Sequence, residues 1–325
     1  MSTKDDVLDI LKKNSDREMS GQQIADALGV SRAAVWKAVT ALRDEGFEIE
    51  AATKRGYVLR GGADDLSVSE VRRCLPEKYR EINLEVKKSV DSTNTRLKAA
   101  AAGGAPSESV LIALTQTAGR GRQGRSFYSP PHTGLYMSIL LRPEGDVSEA
   151  QLATIRAAVA VRRALFAAAG VESEIKWVND VYYKKKKVCG ILTEAAMDFE
   201  SGGVDYLVTG IGINCTTKES QFPEEMRDVA GSVELHGASR AQLAAAVISE
   251  FLKLQSTPRR ELIDEYRRHS MIIGKKISFE RGGITYTALA ADINESGNLL
   301  VRFPDGSEQT LNSGEVHILK DFLKE

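Results

Sequence analysis

Residues 110–131 have the sequence VLIALTQTAGRGRQGRSFYSPP: an apolar run, a loop rich in glycine and arginine, and then two prolines. The apolar run predicts a buried β-strand. The loop places Arg120, Arg122 and Arg125 among three glycines, and no acidic residue occurs from residue 109 to residue 143. Glycine lets the backbone turn its N–H groups toward an anion, and guanidinium groups bind phosphate or carboxylate oxygens. The stretch therefore predicts an anion-binding loop that follows a strand.

Other interpretations of this loop exist. Gly119, Gly121 and Gly124 satisfy the pattern G-x-G-x-x-G, which is typical of dinucleotide-binding folds. That fold needs a helix directly after the glycines, and the Ser-Pro-Pro of residues 129–131 cannot continue one. The P-loop pattern does not occur in the sequence. On composition alone, a solvated turn or a nucleic-acid contact is also compatible with the loop, whereas its position between predicted strands favours a lid that a ligand orders.

A second group of polar residues follows a predicted strand at residues 175–178. Lys176 lies between apolar residues in this strand, so its ammonium can point into a pocket and bind an anion as a point charge. We interpret the lysine run at 184–187 as the solvated tip of a hairpin. Residues 91–94, DSTN, taken alone predict only the N-cap of an alanine-rich helix.

Hydrophobic patterning predicts a central α+β domain, a mixed sheet backed by helices, because strands often follow one another directly. Strands are predicted at residues 84–90, 110–115, 135–141, 175–178, 188–194 and 206–213, and glycines 190, 210 and 212 would let a ligand touch the last two. Helices are predicted at 69–73, 93–102, 149–169 and 240–255. From residue 274 onward, short alternating segments between glycine-containing turns predict a small barrel-like β domain.

The first 60 residues predict three helices followed by a two-stranded wing. Ser20 and Gln23 form a capping box for the second helix, and Ser31 caps the third. Residues 31–60 hold six basic and four acidic side chains, whereas residues 1–30 hold four basic and six acidic ones. This polarity indicates DNA binding, and an interaction module with merely solvated basic residues is the alternative. The expected DNA contacts are Ser31, Arg32, Trp36, Lys37, Thr40, Lys54 and Arg55.

Length and composition set the broad class. The 325 residues are 42% hydrophobic with a formal charge of −1, which favours a globular protein and excludes disorder from excess charge. We expect domains at 1–62, 66–272 and 273–325. No apolar run could span a bilayer and the start lacks a signal peptide pattern, so we expect a cytoplasmic protein without a membrane partner. The three cysteines are expected to be buried thiols, and neither a dedicated metal site nor nucleophilic catalysis is indicated.

Five motifs, in this order and spacing, resemble the biotin protein ligase family. They are STN at 92–94, GRGRQGR at 119–125, KWVND at 176–180, GIL at 190–192 and GIGIN at 210–214. With its N-terminal winged helix-turn-helix, the chain is similar to the bifunctional bacterial form, which also represses the biotin operon. The resemblance implies a class II synthetase-like ligase domain and a C-terminal SH3-like β-barrel. Val178 stands where the family usually has proline.

This resemblance implies two reactions at one site. Biotin and MgATP give biotinyl-5'-AMP and pyrophosphate, and a lysine of the biotin carboxyl carrier protein of acetyl-CoA carboxylase then attacks the mixed anhydride. The implied biotin and biotinyl-AMP residues are Ser92, Thr93, Asn94, Gln116, Arg120, Gly121, Arg122, Lys176 and Gly190, of which Arg122 and Lys176 are catalytic. The implied nucleotide or Mg²⁺ contacts are Asn179, Asp180 and Asn214.

The resemblance also implies regulation. Unused biotinyl-5'-AMP would act as corepressor, favour a homodimer and place two winged helices on a two-fold operator. Two alternatives stay open: a DNA-binding regulator that only senses biotin, and a lipoate ligase, which shares the central architecture but ordinarily lacks the winged helix.

Overall fold

The structure is a computed structural model that describes residues 3–319, except 15–16, 45–46, 53–55, 62–65, 145, 147 and 198–202. The chain divides into two compact units, Met1–Asp65 and Leu66–Glu325. Each unit has its own hydrophobic core. The central sheet and the C-terminal sheet therefore belong to the same compact unit.

The first unit consists of three helices and a two-stranded antiparallel wing, as predicted. Its elements are α1 (Thr3–Lys13), α2 (Gly21–Leu28), α3 (Arg32–Asp44), β1 (Glu48–Ala52) and β2 (Gly56–Gly61). Ser20 and Gln23 form the expected capping box. The Ser31 hydroxyl accepts a hydrogen bond from the N–H of Ala34 at 3.2 Å and so caps α3. The apolar face of α3 is buried against the other two helices and the wing, which leaves its opposite face open to solvent.

The second unit is built on a mixed sheet of seven strands, which confirms the predicted α+β class. The strands are β3 (Leu84–Lys87), β4 (Val110–Ala113), β5 (Gly134–Leu141), β6 (Glu174–Lys176), β7 (Asp180–Tyr183), β8 (Lys186–Met197) and β9 (Val204–Asn214). They pair in the order β3-β4-β5-β9-β8-β7-β6. Only the β3–β4 pair is parallel among these described strands.

Five α-helices belong to the described part of the second unit, beside short 3-10 turns. They are α4 (Val68–Cys74), α5 (Thr93–Ala102), α6 (Ser148–Ala169), α7 (Arg240–Lys253) and α8 (Arg259–Arg268). Every residue of β5 is buried, and α6 buries a long face rich in alanine, valine and leucine. Burying one large aliphatic side chain contributes about 1.5–3 kcal/mol relative to leaving it exposed, so this layer is a major source of stability. The strand ends and loops beside this layer are thus held on a rigid support.

The C-terminal region forms an antiparallel sheet of five short strands. They are β10 (Lys276–Arg281), β11 (Ile284–Ile293), β12 (Leu299–Arg302), β13 (Glu308–Leu311) and β14 (Val316–Ile318), paired in the order β13-β12-β11-β10-β14. Gly282 and Gly283 have φ angles of 58° and 77°, as a two-residue hairpin turn requires. The expected barrel is not confirmed, because β13 and β14 do not pair within the described residues. Both edge strands are short and offer few ladder hydrogen bonds for closure.

Two further expectations concern cysteines and membranes. Cys189 and Cys215 are buried thiols, as expected, and burial raises the pKa of the Cys189 thiol. The expectation is wrong for Cys74, which is only half-buried in the last turn of the short helix α4. Within the part of the chain that the structure describes, no helix is long and apolar enough to cross a bilayer.

Candidate active site

A cleft lies in the second unit, between the first turn of α5, the glycine- and arginine-rich loop, strands β6 to β9 and residues 314–316. Every residue expected to bind biotin or biotinyl-AMP lines it: Ser92, Thr93, Asn94, Gln116, Arg120, Gly121, Arg122, Lys176 and Gly190. Asn179 and Asp180 also line the cleft, and Asn214 does not. The fold thus gathers residues that lie far apart in the sequence.

One end of the cleft is a network of neutral polar groups. Gln116 Oε1 accepts hydrogen bonds from the N–H of Thr93 at 2.8 Å and from its hydroxyl at 3.1 Å. The buried Ser138 hydroxyl lies 2.7 Å from Thr93 Oγ1 and 2.6 Å from Asn94 Oδ1. Asn94 Nδ2 donates to the Leu192 carbonyl at 3.0 Å. Because these groups bind one another, their donors and acceptors are oriented before a ligand arrives.

Ser92 occupies the predicted N-cap position of α5, but its side chain makes no capping hydrogen bond. Its backbone N–H donates to Asp91 Oδ1 at 2.8 Å. The residue is buried at the cleft wall. Its hydroxyl is therefore free of the capping role that the sequence suggested and adds a polar group to the cleft.

The glycine- and arginine-rich loop is fastened to the neighbouring sheet by two of its arginines. Arg120 Nη1 lies 3.1 Å from Glu194 Oε1 on β8. Arg122 Nη1 donates to Asn179 Oδ1 at 3.0 Å, and the amide of Asn179 donates to the Ile191 carbonyl at 2.9 Å. Both guanidinium groups therefore stand at the cleft wall with spare N–H donors, since each has five.

The third arginine ties the loop to the C-terminal sheet. Arg125 makes two hydrogen bonds with Glu315, at 3.0 and 2.5 Å. The bonds from Arg125 hold the pKa of the Glu315 carboxyl below its usual value. Inside the loop, a Cβ on Gly119 would lie 2.5 Å from the carbonyl oxygen of Phe127, so this position has no room for a side chain. The loop is therefore a tight turn that is held by the central sheet on one side and by Glu315 on the other.

Lys176, the last residue of β6, supplies an ammonium without a salt bridge. Within the described residues it forms no hydrogen bond or ion pair, and its Nζ lies 5.7 Å from the centre of the Tyr182 ring. Burial lowers the pKa of Lys176, although the negative charges of Asp180 and Glu315 act in the opposite direction. An anion that enters the cleft would restore the interactions that burial removes from this ammonium.

The lysine run at 184–187 only partly matches the predicted solvated tip. Lys184 and Lys185 are exposed, with φ angles of 48° and 64° in the turn. The prediction is wrong for Lys187, which lines the cleft with its Nζ 2.7 Å from Asp180 Oδ1. The register of β7 against β8 shifts just before Tyr182, and such a shift changes the face to which a side chain points.

The glycines of β8 and β9 all line the cleft, and each lies close to a protein side chain. A Cβ on Gly210 would lie 2.2 Å from Asn94 Oδ1, and one on Gly212 would lie 2.5 Å from the Phe127 ring. These two glycines therefore make room for protein side chains. A Cβ on Gly190 would likewise approach the Phe127 ring, at 3.2 Å.

Two further positions of the motifs are Asn214 and Val178. Asn214 is 6% exposed, and its amide donates to the Gly231 carbonyl at 3.0 Å, outside the cleft. The Trp177–Val178 peptide bond is cis, and Val178 is the residue at which the sequence resemblance implies a proline.

The expected DNA contacts on α3 lie on its solvent face. Arg32 and Lys37 are exposed, and Trp36 is 60% exposed, which is unusual for so large an apolar ring. Ser31 is the exposed cap, and the half-buried Thr40 hydroxyl donates to the carbonyl of Trp36 at 3.0 Å. Lys54 and Arg55 lie outside the described residues.

Sequence reasoning missed several residues of the site. Phe127 and Lys187 line the cleft, and Glu194 and Glu315 hold two of the loop arginines. The absence of acids from the loop itself was a signal that its arginines need carboxylates from elsewhere in the chain. Among the described residues, no group of three or more His, Cys, Asp or Glu side chains could hold a metal ion.

The arrangement can bind a neutral polar group at one end and several negative charges at the other. The cationic end holds Lys176, Lys187 and three arginines against two carboxylates, Asp180 and Glu315. Such a site can bring a carboxylate and a phosphate together and stabilise the charge that develops between them.

Comparisons with known proteins agree with this geometry. Residues 86–214 match the Biotin/lipoate A/B protein ligase family, residues 3–58 match an HTH domain, and residues 272–319 match the Biotin protein ligase C terminal domain. The bifunctional ligase/repressor BirA of Bacillus subtilis is 33% identical over 311 residues, which cover 93% of this chain and 94% of the relative.

Two other similar proteins cover about 72–73% of this chain. The biotin–(acetyl-CoA-carboxylase) ligase of Mycobacterium tuberculosis is 31% identical over 245 residues, 72% of this chain and 88% of the relative. A solved biotin protein ligase of Aquifex aeolicus, in complex with biotin and ATP, superposes with a TM-score of 0.61 and 28% identity over 73% of this chain and 99% of that one. On its similarity over nearly its whole length, the chain belongs to the family of bifunctional biotin ligase/repressor proteins.

Proposed function

We propose that this protein joins biotin to ATP to give biotinyl-5'-AMP and pyrophosphate, and then transfers biotin to a lysine of the biotin carboxyl carrier protein of acetyl-CoA carboxylase. The observation that carries the proposal is the single cleft that holds a neutral polar network, the unpaired Lys176 and the arginine loop together. The polar network suits a fused-ring urea, Lys176 suits a carboxylate, and the arginine loop suits a polyphosphate.

In this function each part of the cleft has one task. The network of Thr93, Asn94 and Gln116 with Ser92 binds the polar ring system of biotin through oriented donors and acceptors. Lys176 binds the carboxylate and the α-phosphate, whose charges meet in the transition state. Arg120 and Arg122 hold the adenylate once it has formed, so that the mixed anhydride stays shielded from water until the carrier lysine arrives.

The cleft fits a magnesium ion bound mainly through its substrate. Mg²⁺ keeps several waters and is usually held by one or two carboxylates together with phosphates. Asp180 is the carboxylate of the cleft that pairs with the ammonium of Lys187. This ion pair shows that the position of Asp180 suits a bound cation. Asp180 would hold the ion, which would neutralise phosphate charge when bound. Asn179 would keep its hydrogen bond with Arg122.

We further propose that the protein represses biotin genes, with biotinyl-5'-AMP as corepressor and a homodimer as the DNA-bound form. The exposed basic residues and Trp36 on α3 support this second role, because a recognition helix needs such side chains on its free face. An unused adenylate would then report that the carrier is fully biotinylated. We expect both roles in the cytoplasm.

Labelled biotin, ATP and the unbiotinylated carrier domain test the proposal. We expect label on the carrier, none without ATP, and none on a carrier whose acceptor lysine is replaced by arginine. Binding of biotin without transfer would overturn the ligase function and favour a regulator that only senses biotin. Transfer of lipoate to its own carrier instead of biotin would identify a lipoate ligase.

A further inference from the structure

Glu194 on β8 accepts two hydrogen bonds from α5 and forms an ion pair with Arg120 of the glycine- and arginine-rich loop. Its Oε2 accepts from Asn94 Nδ2 at 2.9 Å. Its Oε1 lies 2.6 Å from Lys98 Nζ and 3.1 Å from Arg120 Nη1. The side chain is only 18% exposed, so this carboxylate lies largely behind the cleft wall rather than in the cleft.

Two of these three partners belong to α5 and the third belongs to the loop. Asn94 and Lys98 lie one turn apart on α5, so they share a face of that helix. Arg120 belongs to the glycine- and arginine-rich loop and makes no other ion pair or side-chain hydrogen bond within the described residues. One carboxylate thus connects the polar network to the loop.

The carboxylate is held in its charged form. Burial alone would raise the pKa of Glu194, but the hydrogen bonds from Lys98 and Asn94, with the charges of Lys98 and Arg120, outweigh burial and lower it. Both oxygens therefore act as acceptors at neutral pH. Because every group that faces them is a donor, an amide at this position would turn its NH₂ toward a donor.

We propose that Glu194 is a positioning residue, which orients Asn94 for the biotin ring and holds Arg120 at the cleft. This inference rests on the proposed ligase function. It makes ring recognition and loop position depend on the same side chain, since Asn94 and Arg120 both contact its carboxylate.

The substitution Glu194→Gln tests the inference because it keeps the size of the side chain and removes one acceptor. We expect the KM for biotin to rise about tenfold, the loss typical of one charged hydrogen bond, and the half-life of bound biotinyl-5'-AMP to shorten similarly. The kcat at saturating biotin should change by less than about threefold. Glu308→Gln is the matched control, since Glu308 pairs with Arg302 at the surface of the C-terminal sheet.

A cycle with Arg120→Ala separates positioning from a general loss of structure. If Glu194 acts through Arg120, the two substitutions affect the same interaction. The combined change in KM and adenylate half-life in the double variant should then be about fivefold smaller than the product of the two single changes. Losses that multiply, or a Glu194→Gln variant with wild-type KM and adenylate half-life, would overturn the inference. If Glu194→Gln does not fold, Glu194→Asp carries the same cycle, because it keeps the charge and shortens the reach.

Measurements on the wild-type protein distinguish a failure of this inference from a failure of the proposed ligase function. Wild-type protein that forms no biotinyl-5'-AMP would overturn the proposed function and this inference with it. Active wild-type protein with an indifferent Glu194 variant would overturn the inference alone.

Discussion

The indole Nε1 of Trp177 donates a hydrogen bond to the carbonyl of Gly297 at 2.9 Å, and both groups are buried. Trp177 follows Lys176 directly, whereas Gly297 lies in the turn between β11 and β12 of the C-terminal sheet. Next to it, the Tyr266 hydroxyl on α8 donates to the Val178 carbonyl at 3.0 Å. The segment that carries the central lysine is thus positioned by the C-terminal region.

Trp177→Phe should therefore weaken both stability and catalysis. The ring is retained but the buried Gly297 carbonyl loses its donor, which costs about 1–3 kcal/mol. We expect a lower midpoint in urea and a reduced kcat for adenylate formation. A full kcat at a lower midpoint would show that the bond stabilises the fold without positioning Lys176. Tyr286→Phe, which keeps a partly buried ring in the C-terminal sheet, is the control.

Lys176 should make ligand binding depend on pH. Burial lowers its pKa in the free protein, and an anionic ligand raises it again, so binding is accompanied by proton uptake. The affinity for biotinyl-5'-AMP should be greatest below the pKa of the free protein and fall as pH rises through it, starting below the ordinary value of 10.5. Calorimetry across the alkaline range measures this fall.

The matched variant for this titration is Lys176→Arg. A guanidinium stays charged throughout the range, so its affinity, though lower, should be flat with pH. An equally steep fall in Lys176→Arg would assign the titration to another group.

Arg122→Ala should shorten the time for which the adenylate stays bound. Arg122 joins the loop to Asn179 and lines the cleft. Losing a charged hydrogen bond should speed release about tenfold or more. Filtration of the complex over time measures the release rate. Arg73→Ala, which removes an exposed arginine from α4, should leave it unchanged.

Arg32→Ala and Lys37→Ala should weaken DNA binding while leaving ligation intact. Each lost phosphate contact should reduce the slope of log affinity against log salt by about 0.9. Fluorescence anisotropy with operator DNA at several salt concentrations gives the slope. Arg17→Ala, an exposed arginine outside α3, is the control. Slopes equal to wild type would remove α3 from the DNA interface.

Local patterns were enough to predict the parts of the fold that depend on neighbours in sequence. The capping box at Ser20 and the apolar face of α3 follow from helical spacing. The strand before the arginine loop follows from its apolar run, and Lys176 lies in a strand as predicted, although that strand ends at Lys176 and not at residue 178. The element that was missed most clearly is α8, whose sequence RRELIDEYRR is dominated by charge and buries only one narrow face.

The sequence did not predict the site residues that contact the arginine loop from distant positions in the chain. Glu194 and Glu315 reach the loop arginines from 74 and 190 positions away in the chain, and no local pattern pairs them. Lys187 lines the cleft because the register of β7 against β8 shifts beside it, and the sequence does not reveal such a shift. The C-terminal barrel was inferred from alternation, which predicts strands but does not decide whether a sheet closes.

The most direct test of the account is the affinity of a non-hydrolysable biotinyl-5'-AMP analogue for the wild-type protein and for Lys176→Ala, measured by calorimetry at neutral pH. The account predicts a stable complex with the wild type and at least about tenfold weaker binding by the variant, because an unpaired ammonium faces the bound phosphate. Equal affinities, or no binding by the wild type, would contradict it.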